Sequence, residues 1–271
     1  MAISNYRPTI WHAGLLENFH QNTFVIPTLN SDYEGDIVNG GEIVKITGFT
    51  SPTIGTYSGS ITRQVLTDST QSLAIDQKKY FAFLVDDVDK VQSAGSFDQV
   101  LTDAGQALAD TAEDYVLSAM LSNGTSAGTT AVTTGALADT AVVNIRTALV
   151  KAKVPTANRF LAVNPEAAAF LMNASNSLFK ANESGSDQAL RNGVIGNYRG
   201  FTVIETPSAS LANSSKPVFI GYHGRSVAFV NQIIKTRAQT ALDAFGDQID
   251  GLNVYGGKVL RATAVQTYVS A

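Results

Sequence analysis

The chain has 271 residues, of which 44% are hydrophobic and 15% charged, with no cysteine and a formal net charge of −4. This length and apolar content exclude a disordered chain and supply a core for one compact domain or two smaller ones. The acidic balance argues against a dedicated nucleic-acid binder, which carries a basic patch or stripe, and the missing cysteines exclude a disulfide framework and a thiolate metal site.

Charge is scarce against the ~25% of ordinary globular domains. Ser, Thr, Asn, Gln and Gly cover the surface instead, and such a surface is desolvated against a partner at lower cost than a charged one. The composition points to a subunit of an obligate assembly, with a Ser/Thr-rich monomer as the alternative. No apolar run approaches the ~18 residues that cross a bilayer. Met1–Pro8 lacks the basic-then-apolar order of a secretory signal, so a soluble cytoplasmic origin is the expectation.

In chain order, Trp11, Leu15, Leu16 and Phe19 suggest a short amphipathic helix flanked by His12 and His20. Phe24-Val25-Ile26 follows and runs into Pro27; the whole reads as an arm lying on something. Residues 36–70 read as β, with Glu42–Thr47 alternating apolar and polar and Ile61–Leu66 returning as strand. Between them lie Pro52 and three turn-prone glycines, Gly48, Gly55 and Gly59. A long hairpin with a polar tip fits, and it has too little apolar material to stand alone. Leu73–Asp76 and Tyr80–Val85 form a strong strand candidate ending at Asp86-Asp87-Val88-Asp89.

Ser96-Phe97-Asp98-Gln99 is a capping box. Phe97, Leu101, Ala104, Leu108, Ala112, Tyr115 and Ala119 then recur at helical steps, widened by Val100, Val116 and Met120, and Asn123-Gly124 ends the run. About 25 residues make a rod of roughly 38 Å. Residues 122–138 read as a linker or loose loop. Asp139 is expected to cap a helix through Val150, Arg159–Val163 to be a strand, and Asn164-Pro165 to open a further helix. Residues 173–192 are polar. Gly200–Glu205 and Val218–Tyr222 read as strands, His223–Ile233 as starting with a short helix, and Asp250–Val265 as turn and then strand.

The search for chemistry finds no site. His12 and His20 are eight residues apart, not the four of a helical zinc pair, and His223 stands in an unrelated context. Asp86, Asp87 and Asp89 lack the central Gly and distal Glu of a calcium loop and read as a solvated turn. Gly55-Thr56-Tyr57-Ser58-Gly59 places its Ser one position late for a nucleophile elbow. Gly196 and Gly200 lack the Lys of a phosphate loop. No catalytic residue, cofactor or metal is therefore expected.

The order of parts is arm, long hairpin, strand, long helix, α/β lobe and returning strand. In that order, and in the segments Asp32–Gly35 with Gly40–Val44, Ile75–Phe83 with Val85–Asp89, Gly196–Val203 and Gly251–Gly256, the chain resembles the Hong Kong-type major capsid proteins of tailed phages. The resemblance implies an α+β fold: an N-terminal arm (1–35), an extended hairpin loop (36–72), a peripheral domain with a spine helix (73–122), an axial domain (123–240) and a return to the peripheral domain (241–271). It implies a homo-oligomer of pentamers and hexamers closing into an icosahedral virion shell, assembled in the host cytoplasm around double-stranded DNA without specific binding. A scaffolding protein, a portal and a decoration protein are the further partners implied; there is no membrane partner. The chain is too short for the cleaved scaffold segment of some members, so a separate scaffold is expected. Phe49, Ile54, Tyr57 and Ile61 are the candidate inter-subunit contacts. Lys45, the only Lys of the hairpin, lies on a strand and not at the tip, so interlocking without covalent links is expected. An encapsulin-like nanocompartment subunit, a secreted β-rich surface-layer or adhesin domain, and a small α/β enzyme using residues 139–230 are the alternatives.

Overall fold

The computed structural model of the chain describes residues 23–33, 43–49, 52–57, 59, 63–65, 68–86, 98–172, 196–240 and 246–271. Its strands and helices run β1 (Ile43–Phe49), β2 (Asp68–Ala74), β3 (Gln77–Asp86), α1 (Asp98–Asn123), β4 (Thr125–Gly128), α2 (Gly135–Lys151), β5 (Arg159–Val163), α3 (Pro165–Leu171), β6 (Asn197–Tyr198), β7 (Phe201–Glu205), β8 (Val218–His223), β9 (Val227–Thr240), β10 (Gly246–Val259) and β11 (Val265–Val269). The described strands form a two-stranded sheet β1-β2, a three-stranded sheet β3-β10-β9 and a six-stranded sheet β4-β11-β8-β5-β7-β6.

The six-stranded sheet holds the largest part of the core. Every residue of β8 is buried, so the strand is covered on both faces. Its side chains alternate between two apolar clusters. Phe219 joins Ile145 and Leu149 of α2 and Leu171 of α3, while Val218, Ile220 and Tyr222 join Val116, Leu117 and Met120 of α1. The period of two is what lets one strand serve both layers. Gly221 allows a close approach, since a Cβ there would stand 2.3 Å from Ile145 Cγ2.

Residues 122–138, expected to be a linker, are more ordered than that. Thr125–Gly128 pairs in parallel with β11. The helix that follows begins at Gly135, with the Thr134 side chain accepting from the Leu137 N–H, so Thr134 and not Asp139 is its N-cap. Asn164 caps α3 as expected, accepting from the Ala167 N–H with Pro165 in the first turn.

Helix α1 has 26 residues, about 39 Å at ~1.5 Å per residue. Among its described side chains, the buried ones are Ala112, Glu113, Val116, Leu117 and Met120. The expected stripe is therefore shifted: Tyr115 and Ala119 lie at its flank, and Leu117 and a carboxylate take its centre. Ala104 and Leu108 are half-buried. Ser96 and Phe97 lie outside the described residues, as does the Leu101 side chain.

The three-stranded sheet is built on β10, which pairs antiparallel with both β3 and β9. The segment expected to start with a short helix starts with a 3-10 turn at Gly224–Ser226, and β9 then runs for 14 residues. Its first part, Val227–Val230, is buried, while Thr236–Thr240 is exposed. At Gly251 a Cβ would meet the Phe81 ring at 2.2 Å, so the glycine lets that ring lie across β10. Sheet membership does not change at residue 240. Strand β9 lies with β10 and β3, whereas the last strand, β11, lies in the six-stranded sheet beside β8.

The hairpin departs from the expected register. Strand β1 pairs with Asp68–Ala74, and Arg63–Val65 belong to no strand. The base decides this: Leu73 and Ile75 are buried with Ala228, Val230 and Val254, whereas Val65, in the more apolar run, is 85% exposed. Lys258 Nζ donates to the Ser72 carbonyl at 2.6 Å, and Gln71 Nε2 to the Leu260 carbonyl at 3.1 Å, tying β2 to the sheet below.

The contact at Gly221 yields a stability test. Gly221→Ala should lower the unfolding free energy by about 1–3 kcal/mol through overpacking. Gly55→Ala, with nothing within 4 Å of the added Cβ, should leave it nearly unchanged. Urea titration of the unassembled subunit reads both.

Candidate assembly surface

Among the described residues, the hairpin carries apolar side chains that stand exposed. Pro52–Tyr57 belong to no strand, and the Thr53 N–H donates to Gln64 Oε1 at 2.8 Å across the two limbs. Ile54 is 91% exposed and Tyr57 72%. The Phe49 side chain and all of Ile61 lie outside the described residues. Two exposed residues escaped the sequence reading, Ile43 and Val65. The signal for Ile43 was in the alternation of β1, where Val44 and Ile46 turn toward the core and Ile43, Lys45 and Thr47 turn outward. Val65 belongs to the same apolar run as Ile61.

The described part of the N-terminal arm, residues 23–33, rests on the chain's own body. Val25 and Leu29 are buried against α1 and β8. Asn30 bridges β9: its N–H donates to the Val227 carbonyl and its carbonyl accepts from the Phe229 N–H, both at 3.1 Å. Glu113, fully buried, is the anchor. Its Oε2 accepts from the Val25 N–H at 3.3 Å and its Oε1 from the Thr206 hydroxyl at 3.2 Å. Burial pushes this carboxyl above its ordinary range, and the donors of Val25, Thr206 and Ile26 pull it part of the way back. Beside it the Tyr222 and Thr28 hydroxyls share a 2.7 Å hydrogen bond. Burial pushes the Tyr222 phenol up as well. One side chain of α1 thus joins the arm and the loop after β7. A Glu amid apolar neighbours reads as a polar interruption, and this one was missed.

A second polar knot pins the β6 edge of the six-stranded sheet. Arg199 and Gly200, at φ of 53° and 85°, turn β6 into β7 through left-handed backbone, as a two-residue hairpin requires. Arg199 then forks onto Asp139 of α2, Nε to Oδ1 at 3.0 Å and Nη2 to Oδ2 at 2.8 Å. Tyr198 also donates to Asp139, and burial plus that carboxylate push its phenol up to about 12. Asp139, expected as a helix cap, is a strand-to-helix clamp instead.

No reaction centre gathers around these residues. His12, His20, Asp87 and Asp89 lie outside the described residues. His223 Nδ1 accepts from the Arg225 N–H at 3.1 Å, and burial holds its pKa below the usual value, so it serves a turn. Among the described residues no three His, Asp or Glu converge as metal ligands, and no helix is long and apolar enough to cross a membrane.

The architecture is a mixed helix-and-sheet subunit with an outlying hairpin, and known proteins share it. The family described as phage capsid protein matches residues 70–268. A structure from Mycobacterium phage Che8 aligns at 33% identity and a TM-score of 0.90, covering 98% of both chains. The capsid of cyanophage P-SCSP1u aligns at 15% identity and a TM-score of 0.80, covering 100% of this chain and 95% of that one. The mature capsid of bacteriophage PhiM1 aligns at 14% identity and 0.77, with the same coverage. No protein of curated function matches by sequence. The chain belongs to the phage capsid protein family and has the Hong Kong-type capsid fold. It is a structural major capsid protein, a component of multimeric virion shells. That family and fold support a shell subunit over the adhesin and α/β-enzyme alternatives.

The Glu113 anchor makes a pH prediction. A carboxyl raised in the folded state contributes its full stability when protonated and loses it as pH rises through the folded-state pKa. Glu113→Gln removes that titration. The stability of the natural chain relative to Glu113→Gln should therefore grow as pH falls from 7 toward 5. Urea midpoints of both chains across that range check it, and a constant difference contradicts it.

Proposed function

We propose that the hairpin is the arm by which each subunit holds its neighbour, and that subunits so joined form pentamers and hexamers closing into an icosahedral head around double-stranded DNA. The observation that carries this is the pair of exposed apolar side chains Ile54 and Tyr57 on a two-stranded extension with no core of its own. Phe49 and Ile61 complete the proposed contact, and Val65 and Ile43 extend it. A head-to-tail contact of this kind makes rings when its rotation closes.

In this reading α1 and the sheet β3-β10-β9 form the peripheral part, with α1 as spine. The six-stranded sheet with α2 and α3 forms the axial part that gathers at the five-fold and six-fold axes. The net charge of −4 suits a wall that encloses DNA without gripping it. A scaffolding protein, a portal and a decoration protein are the further partners, and assembly takes place in the host cytoplasm. The chain acts as a wall and not as an enzyme.

The test is the double substitution Ile54→Ser with Tyr57→Ser. Burying a large apolar side chain contributes about 1.5–3 kcal/mol, and ~1.4 kcal/mol is a factor of ten in an equilibrium constant. The concentration at which shells form should rise about tenfold or more, while the far-ultraviolet circular dichroism of the subunit stays the same. Assembly at an unchanged concentration contradicts the proposal.

A further inference from the structure

The first half of α1 stands off the sheet beneath it. No described side chain between Thr102 and Thr111 is fully buried, whereas five positions from Ala112 to Met120 are. The gap is a groove of about 320 Å³ with apolar walls formed by Phe81, Leu108, Phe229 and Leu252. Its polar lining is Thr23, Thr236 and two amides, Asn231 of β9 and Asn253 of β10. The two amides sit beside the irregularity at Val254/Tyr255, where the two strands slip register. Asn253 is 7% exposed, and the side-chain oxygens of both residues are buried without a hydrogen-bond partner. An unsatisfied buried acceptor costs about 1–3 kcal/mol. The groove is therefore shaped for an occupant that is largely apolar and brings hydrogen-bond donors.

We infer that the occupant is a segment of this same chain, Leu15–Asn22. The residues before Thr23 lie outside the described structure, and Thr23 and Ile26 are themselves part of the groove wall. The preceding chain thus reaches the groove at its mouth with no linker to span. Its composition matches the lining: Leu15, Leu16 and Phe19 are apolar, and His20, Gln21 and Asn22 carry N–H donors. The length matches too. The groove follows α1 from Gly105 to Ala112, about 10 Å at ~1.5 Å per residue, and eight residues cover that distance even when helical. Docked there, the segment covers the open half of α1 and gives the two amide oxygens their partners. The inference concerns the single subunit and does not rest on the hairpin's role.

The chain has no cysteine, so a single engineered pair can report the contact. Unassembled subunits carrying Phe19→Cys with Leu108→Cys, and a control carrying Phe19→Cys with Val143→Cys on the outer side of α2, are oxidised and run on non-reducing gels. Docking predicts an intramolecular disulfide in the first protein that forms about tenfold or more faster than in the control, because held groups meet at high effective concentration. Equal rates in both proteins, or a disulfide only between subunits, overturn the inference. A second measurement needs no cysteine. Phe19→Ser should lower the urea midpoint of the subunit, and an unchanged midpoint also overturns it.

Discussion

The burial of β8 on both faces is the constraint from which the rest of the subunit follows. A strand whose every side chain is buried needs a layer on each side. Helices α2 and α3 supply one, and α1 with the N-terminal arm supplies the other. Strand β8 passes through the turn Gly224–Ser226 directly into β9, and the Leu260 N–H donates to the Ser226 carbonyl at 2.8 Å, so β10 is held at the same corner. The three-stranded sheet is thereby fixed relative to the six-stranded one. The hairpin then leaves from the base set by Leu73 and Ile75. Burial decreases outward along this path, from buried strand to half-buried sheet to exposed hairpin.

That gradient links packing to function. A shell subunit needs a rigid body and surfaces left incomplete until a neighbour arrives. The body is kept rigid partly by polar knots, Glu113 between α1, the arm and the loop after β7, and Asp139 between α2 and the β6–β7 turn. A buried polar group such as Glu113 serves specificity of arrangement more than net stability, while the Asp139–Arg199 pair is partly exposed and acts as a surface clamp. The apolar residues of the hairpin are the opposite case, held in water on an element that cannot bury them itself.

Much of this was legible in the residues, because the deciding signals were local. The strand Arg159–Val163, the Asn164-Pro165 helix start and the apolar run of β8 announce themselves within a few positions. What stayed hidden was set by distant partners. Thr125–Gly128 becomes a strand only because β11 lies beside it. Thr236–Thr240 is polar, and it extends β9 because β10 offers a ladder of the same length. The hairpin register follows the burial of Leu73 and Ile75 and not the apolar content of Ile61–Leu66. The α1 stripe was read one step aside because Glu113 occupies its centre, satisfied by donors 88 and 93 residues away. The exposed residues Ile54 and Tyr57, proposed as contacts, stand out as apolar side chains in a segment of turn formers; Ile43 is marked only by the alternation of β1, a weaker signal that any strand residue shares.

The central claim is that the hairpin is completed by an adjacent subunit. Amide hydrogen exchange in unassembled subunits and in closed shells tests it most directly. The account predicts that amides of the hairpin, residues 43–57 and 63–72, exchange fast in the free subunit and slow markedly in shells, while those of β8 are protected equally in both. Hairpin amides that exchange at the same rate before and after assembly would contradict it.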